Sequence, residues 1–223
     1  MMGSAITQLI NLPISIGMAL LVRSHYRGTT YPLEKKYHTF WPRFFTLWVD
    51  DVVLWPIAFL GAFDHALNSR PALLLASVLI QQTLVWGYSV CMHARFGQTV
   101  GKMACNIKIV DAKTEQPITF RQALMRDIVP IVGIVVFLAA GGWTVFGEHS
   151  NAKAAKSIVD NMPWSTLAWI DVGWFLLEVI TMFSNDKRRA LHDFIAGTVV
   201  IRTTASDRIR SPIPLQPDAA PIG

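Results

Sequence analysis

The 223-residue chain reads as an all-α polytopic membrane protein with a small cytosolic β-element. Three observations predict this. The chain is 52% hydrophobic and only 16% charged, against about 25% charged residues in soluble domains. Its mean hydropathy is +0.37. Its apolar residues gather in separate runs long enough to cross a bilayer, which takes about 20 residues of helix.

Four runs meet that length: Arg43–Phe63, Ala72–Met92, Ile128–Phe146 and Trp164–Phe183. The second holds Gln81 and Gln82 at mid-depth but no charge, and the third holds the pair Gly141–Gly142, small residues that suit close helix contact. A fifth, weaker run, Ala5–Val22, is broken by Gln8, Asn11 and Pro13. It either crosses or lies in the interface as an amphipathic helix. No Lys or Arg precedes it, so it does not read as a cleaved signal peptide.

Basic residues orient the set. Arg23, Arg27, Lys35 and Lys36 precede the first main span. Arg95, Lys102, Lys108, Lys113, Arg121 and Arg126 lie between the second and third, and Lys187, Arg188 and Arg189 follow the last. Lys and Arg mark cytosolic loops, so the expectation is an integral protein of the cell (inner) membrane with a cytosolic C-terminus. The same loops account for the +5 net charge, and no nucleic-acid motif accompanies it. Residues 106–110 (NIKIV) alternate as a half-buried strand does, and Thr198–Ile201 is β-branched, so the two are expected to pair beneath the bundle. The organisation expected is an N-terminal hydrophobic segment and basic linker (1–42), a transmembrane domain (43–202) and a Pro-rich disordered tail (203–223).

Charge inside the apolar runs is where function is sought. Asp50 and Asp51 fall within the first span, and Asp171 and Glu178 within the last. A carboxylate at the bilayer centre costs roughly 2.5–3.5 kcal/mol on insertion scales, so these acids should face a partner or a water-filled cavity. Arg43 and Asp50 are seven residues apart and share a helix face, but lie about 10 Å apart along the axis. Asp50 is therefore expected to pair with a basic residue from elsewhere, or to serve as an ion or proton site. Asp171 and Glu178 share a face by the same spacing, and neighbouring helices would stack these acids into a column. Crowding and burial raise carboxylate pKa values toward the range where a proton exchanges for a cation.

Past the last span, His192-Asp193 is a weak signal for acid–base or metal chemistry. Asp193 is expected instead to hold Arg43, Arg126 or Arg95 at the membrane surface. The loop FGQTVGK (96–102) fails as a phosphate-binding loop, because three residues rather than four separate Gly97 from Gly101 and Met103 follows Lys102. It reads as a tight turn, with Lys102 meeting lipid headgroups. The remaining histidines, His93 among them, read as interface or loop residues. Neither a GxSxG nor an HExxH pattern is present, so no enzyme activity, cofactor or metal is expected.

These local sequences resemble the RDD family of small membrane proteins. The resemblance rests on Arg43-Phe44 with Asp50, on 96–102 running into 107–111 (IKIVD), and on 189–200 (RALHDFIAGTVV), with Arg126-Asp127 before the third span. It covers Arg43 to Ile201. The doubled Asp50-Asp51 and the extra Glu178 fall outside the family's pattern. The resemblance implies membrane location, and cation/proton exchange has been proposed within the family. Their place inside the apolar runs makes Asp50, Asp51, Asp171 and Glu178 the candidates for an ion or proton site. Arg43, Arg126, Arg189, His192, Asp193, Gly97, Gly101 and Lys102 are then motif and positioning residues. The partners expected are the lipid bilayer, a monovalent cation or proton, and a second copy or another membrane protein. The alternative is an accessory or scaffold subunit that moves nothing itself.

Overall fold

The computed structural model describes residues 3–29, 31–61, 71–133, 135 and 164–203. The chain begins with α1 (Gly3–Tyr26), which continues through Pro13, and a 3-10 turn at Leu33–Lys35. Next come α2 (Phe40–Leu60), α3 (Pro71–Phe96), the short α4 (Val100–Ala104), β1 (Ile107–Asp111) and α5 (Phe120–Arg126). Residues 128–133 are helical. The last elements are α6 (Trp164–Phe183), α7 (Leu191–Ala196) and β2 (Thr198–Arg202).

The expected spans Arg43–Phe63, Ala72–Met92 and Trp164–Phe183 fall on α2, α3 and α6, and Ala5–Val22 falls within α1. Most of Ile128–Phe146, with Gly141 and Gly142, lies outside the described residues, as does the tail beyond Thr203. Among the described residues no helix is long and apolar enough to cross a membrane. In α2 the apolar run is interrupted by Arg43, Asp50 and Asp51.

The two strands pair antiparallel, with Ile109 opposite Val200 and Asp111 opposite Thr198. The sheet forms the driest part of the molecule. Ile107, Ile109, Val199 and Val200 are fully buried; Val22, Tyr26, Val49 and Ala123 close over Ile107, Ile109 and Val200, while Val199 packs with Val110 and Ala112. The long helices do the opposite and turn large apolar side chains outward, including Leu20, Leu47, Ile80, Phe175 and Ile180.

Two glycines make the joints between helix and sheet. Gly97 takes φ +66°, its amide donates to His93 O at 2.8 Å and its carbonyl accepts from Ile109 N at 2.8 Å. That left-handed cap ends α3 and lays the chain against β1. A Cβ there would sit 2.7 Å from Ile109 O. Gly197 takes φ +67° and turns α7 into β2. Helix α5 starts with a capping box: Thr119 Oγ1 accepts from Gln122 N, and Gln122 Oε1 accepts from Thr119 N. Gln122 Nε2 also donates to Asp111 Oδ2 at 2.6 Å, which ties α5 to β1.

Candidate functional site

The centre of the polar network is Asp193, whose side chain is fully buried. It occupies the third position of α7 and accepts from Ala190 N at 3.0 Å, so capping the helix also fixes the carboxylate. Its Oδ2 accepts from Arg43 Nη1 at 2.6 Å. Its Oδ1 accepts from Arg126 Nη1 and from Thr198 Oγ1, the latter at 3.2 Å. One carboxylate from the closing motif thus clamps α2 and α5 to the sheet. Burial raises the Asp193 pKa, but Arg126, Arg43 and His192 together outweigh it and hold the group well below the usual carboxylate range. Arg189 supports the clamp from behind, donating from Nε to Thr198 O at 2.9 Å and lying over the Phe194 ring at 4.1 Å.

Arg126 extends the network. Its second arm donates to His192 Nε2 at 2.7 Å, which leaves the proton of the neutral imidazole on Nδ1, facing Glu178 Oε1. Burial first, then Arg126, pushes the His192 pKa below its ordinary value, in keeping with that neutral form. A second carboxylate–imidazole pair lies nearby. Ser89 Oγ donates to Asp127 Oδ2 at 2.7 Å, and His93 Nδ1 faces both the serine, at 3.4 Å, and the same carboxylate oxygen, at 3.9 Å. Ser89 spends its single proton on Asp127, so its oxygen accepts from His93 Nδ1–H and His93 Nε2 is a bare acceptor. That nitrogen is buried without a hydrogen-bond partner, and His93 is 3% exposed.

Both pairs open onto one cavity of about 370 Å³ lined by residues of α2 to α7. Arg43, Lys102, Arg126, Asp127, Glu178 and His192 supply its charge and polarity, and Phe40, Phe44, Trp174 and Phe175 supply an aromatic wall. Lys102 is half-buried. Among the described residues its ammonium forms no ion pair and no hydrogen bond.

Of the acids singled out from sequence, Asp50, Asp51 and Glu178 each meet a different set of partners. Asp50, expected to meet a basic residue, accepts among the described residues from neutral donors: Tyr88 OH at 2.9 Å, Thr99 Oγ1 at 2.7 Å and Gly101 N at 2.8 Å. It seats the start of α4 against α2. Gly101 is obligatory there, because a Cβ would lie 2.7 Å from Asp50 Oδ2 and would also strike Thr46 O. Asp51 is exposed, points a third of a turn away and accepts from Ser15 Oγ of α1. Glu178 is engaged by His192. The side chain of Asp171 lies outside the described residues.

Two more expectations need correction. Lys102 faces the cavity rather than lipid headgroups, because α4 turns it inward. His93 is a buried core residue, not an interface or loop one. Its position four residues after Ser89, on one face of α3, was the only local hint of a polar cluster there.

This arrangement defines a small helical protein whose first long helix and closing motif are locked together by a buried arginine–aspartate–arginine clamp. The chain belongs to the RDD family, whose model matches residues 37–197. No curated protein and no solved structure matches the chain.

Proposed function

We propose that this RDD protein is a polytopic inner-membrane protein with a cytosolic C-terminus, without enzyme activity, that exchanges a monovalent cation for a proton in the cavity beside Lys102. Membrane residence is supported by the outward-facing large side chains of the long helices, among them Leu20 at 64%, Leu47 at 62% and Ile180 at 60% exposed. Faces of that kind call for an apolar environment.

The single observation that carries exchange is the Lys102 ammonium, which among the described residues forms no ion pair, beside the paired Arg43, Arg126 and Glu178. Around Lys102 stand the cations Arg43 and Arg126 and the carboxylates Asp50, Asp127, Glu178 and Asp193. Burial, then Arg126, lowers the Lys102 pKa to about 8. Loss of its proton removes one positive charge, which one monovalent cation replaces. The exchanging group is then Lys102, with Asp127 and Glu178 as the carboxylates that face the cation. Asp50 and the Asp193 clamp hold the frame, and Asp51 lies on another face.

The test is ion-driven proton movement in vesicles containing the purified full chain. A gradient of at least one monovalent cation, tested as Na⁺, K⁺, Li⁺ and a small organic ammonium, should drive protons with wild type, Lys102→Met should abolish the flux, and Asp50→Asn should lower yield and melting temperature. No flux with any cation, or full flux in Lys102→Met, overturns the reading. A second reading, an accessory subunit paired with a further copy or another membrane protein, is favoured by the Asp193 clamp, which spends two arginines on internal bracing. Absence of flux with stable co-purification of a membrane partner supports it.

A further inference from the structure

Four features of the cavity bear on what kind of cation it takes. The first is His93 Nε2, buried, unpaired and left as an acceptor by the proton arrangement around Ser89 and Asp127. A bare imidazole lone pair needs a hydrogen-bond donor or a metal. The second is the aromatic wall of Phe40, Phe44, Trp174 and Phe175, whose ring faces attract organic cations. The third is the absence, among the described residues, of any group of three His, Cys, Asp or Glu side chains able to hold a metal ion. An alkali cation brings no donor hydrogen to His93 and prefers a shell of oxygens over ring faces. The fourth is Lys102 itself, an ammonium already resident in this space.

We propose, resting on the exchange reading above, that the cation is a protonated organic amine, its ammonium donating to His93 Nε2 and to the carboxylates of Asp127 and Glu178 while its apolar part lies against Phe40, Phe44, Trp174 and Phe175. The incoming ammonium takes over the charge that Lys102 gives up. Lys102 releases one proton to solvent, the amine arrives with its own proton, and the cluster returns to its starting charge. The charged and titratable groups around the exchange are Arg43 and Asp50 from α2, His93 from α3, Lys102 from α4 and Arg126 from α5. Asp127, Glu178 from α6 and His192 from α7 complete it, with Asp193 behind. A primary alkylammonium keeps its proton up to about pH 10. A window therefore exists above the Lys102 transition in which ligand and site carry complementary charge.

The experiment is equilibrium binding of phenethylammonium to the purified full chain in detergent, read by tryptophan fluorescence through Trp174. Wild type should bind saturably at about pH 9 and roughly tenfold or more weakly at about pH 6, since Lys102 is then charged. Lys102→Met should bind alike at both pH values. Lys102→Arg, a permanent cation, should bind at neither, so the proposal stays testable where the methionine variant fails to fold. His93→Phe should weaken binding at high pH roughly tenfold, the cost of one charge-assisted hydrogen bond. No saturable binding at high pH, or equal wild-type affinity at both, overturns the proposal. Alkali-cation exchange in vesicles without amine binding removes the amine and leaves exchange standing. Amine binding without any cation- or amine-driven proton flux keeps the amine site and removes exchange.

Discussion

Replacing Asp193 with Asn keeps the shape of the side chain and removes its charge. Two guanidinium groups, Arg43 and Arg126, then lose the carboxylate they share in a fully buried site. Breaking a buried ion pair by removing one partner costs about 3–5 kcal/mol, because the remaining charge is stranded out of water. That is a third or more of the roughly 5–15 kcal/mol that holds a domain folded. For a chain of this size each kcal/mol moves the midpoint by about 2–4 °C, so Asp193→Asn should melt roughly 6–20 °C below the parent. Thermal unfolding of both proteins in the same detergent measures the difference. Its pH dependence supplies a second arm. The folded pKa of Asp193 lies below the unfolded one, so its contribution is fully present above about pH 4 and is lost as the pH falls further. The two curves should converge in acid. A variant melting within about 2 °C of the parent at neutral pH refutes Asp193 as the charge that balances both arginines.

Gly101→Ala should destabilise by about 1–3 kcal/mol or more, since the new methyl meets the Thr46 carbonyl and the Asp50 carboxylate rather than a flexible side-chain end. A melting curve unchanged from wild type counts against the close approach of α4 to α2. Thr99→Ala removes both the cap of α4 and a donor to Asp50 and should cost roughly 1–2 kcal/mol, read by thermal unfolding. Lys102→Met should raise stability at neutral pH by roughly 1–3 kcal/mol. The sign follows from a folded pKa near 8 below a model value of 10.5. The penalty for burying the charge is fully present below about 8 and fades as the pH climbs past the unfolded value, so the variant's advantage should shrink in alkali.

Much of the scaffold was legible because it rests on local chemistry. Apolar runs of bilayer length located α2, α3 and α6. Alternation in 106–110 and β-branching in 198–201 located a sheet whose register the fold then set. Gly97 and Gly197 sit where a left-handed residue must end a helix. The site was less legible. Asp50 and Asp51 stand out in the sequence because acids are rare in apolar runs, yet an acid satisfied by a tyrosine, a threonine and an amide looks the same in sequence as one poised to titrate.

Side-chain type and spacing alone determined where the long helices and the two strands lie and that Asp193 needs a basic partner, while the short helices α4, α5 and α7 were not read from them. Only the tertiary structure decided which charges meet. Arg43 reaches Asp193 across 150 residues of chain and Arg126 reaches it across 67. Such pairings follow no helical or strand period. They arise when α7 docks between α2 and α5, and the same closure turns the Lys102 ammonium into the cavity, where it forms no ion pair among the described residues.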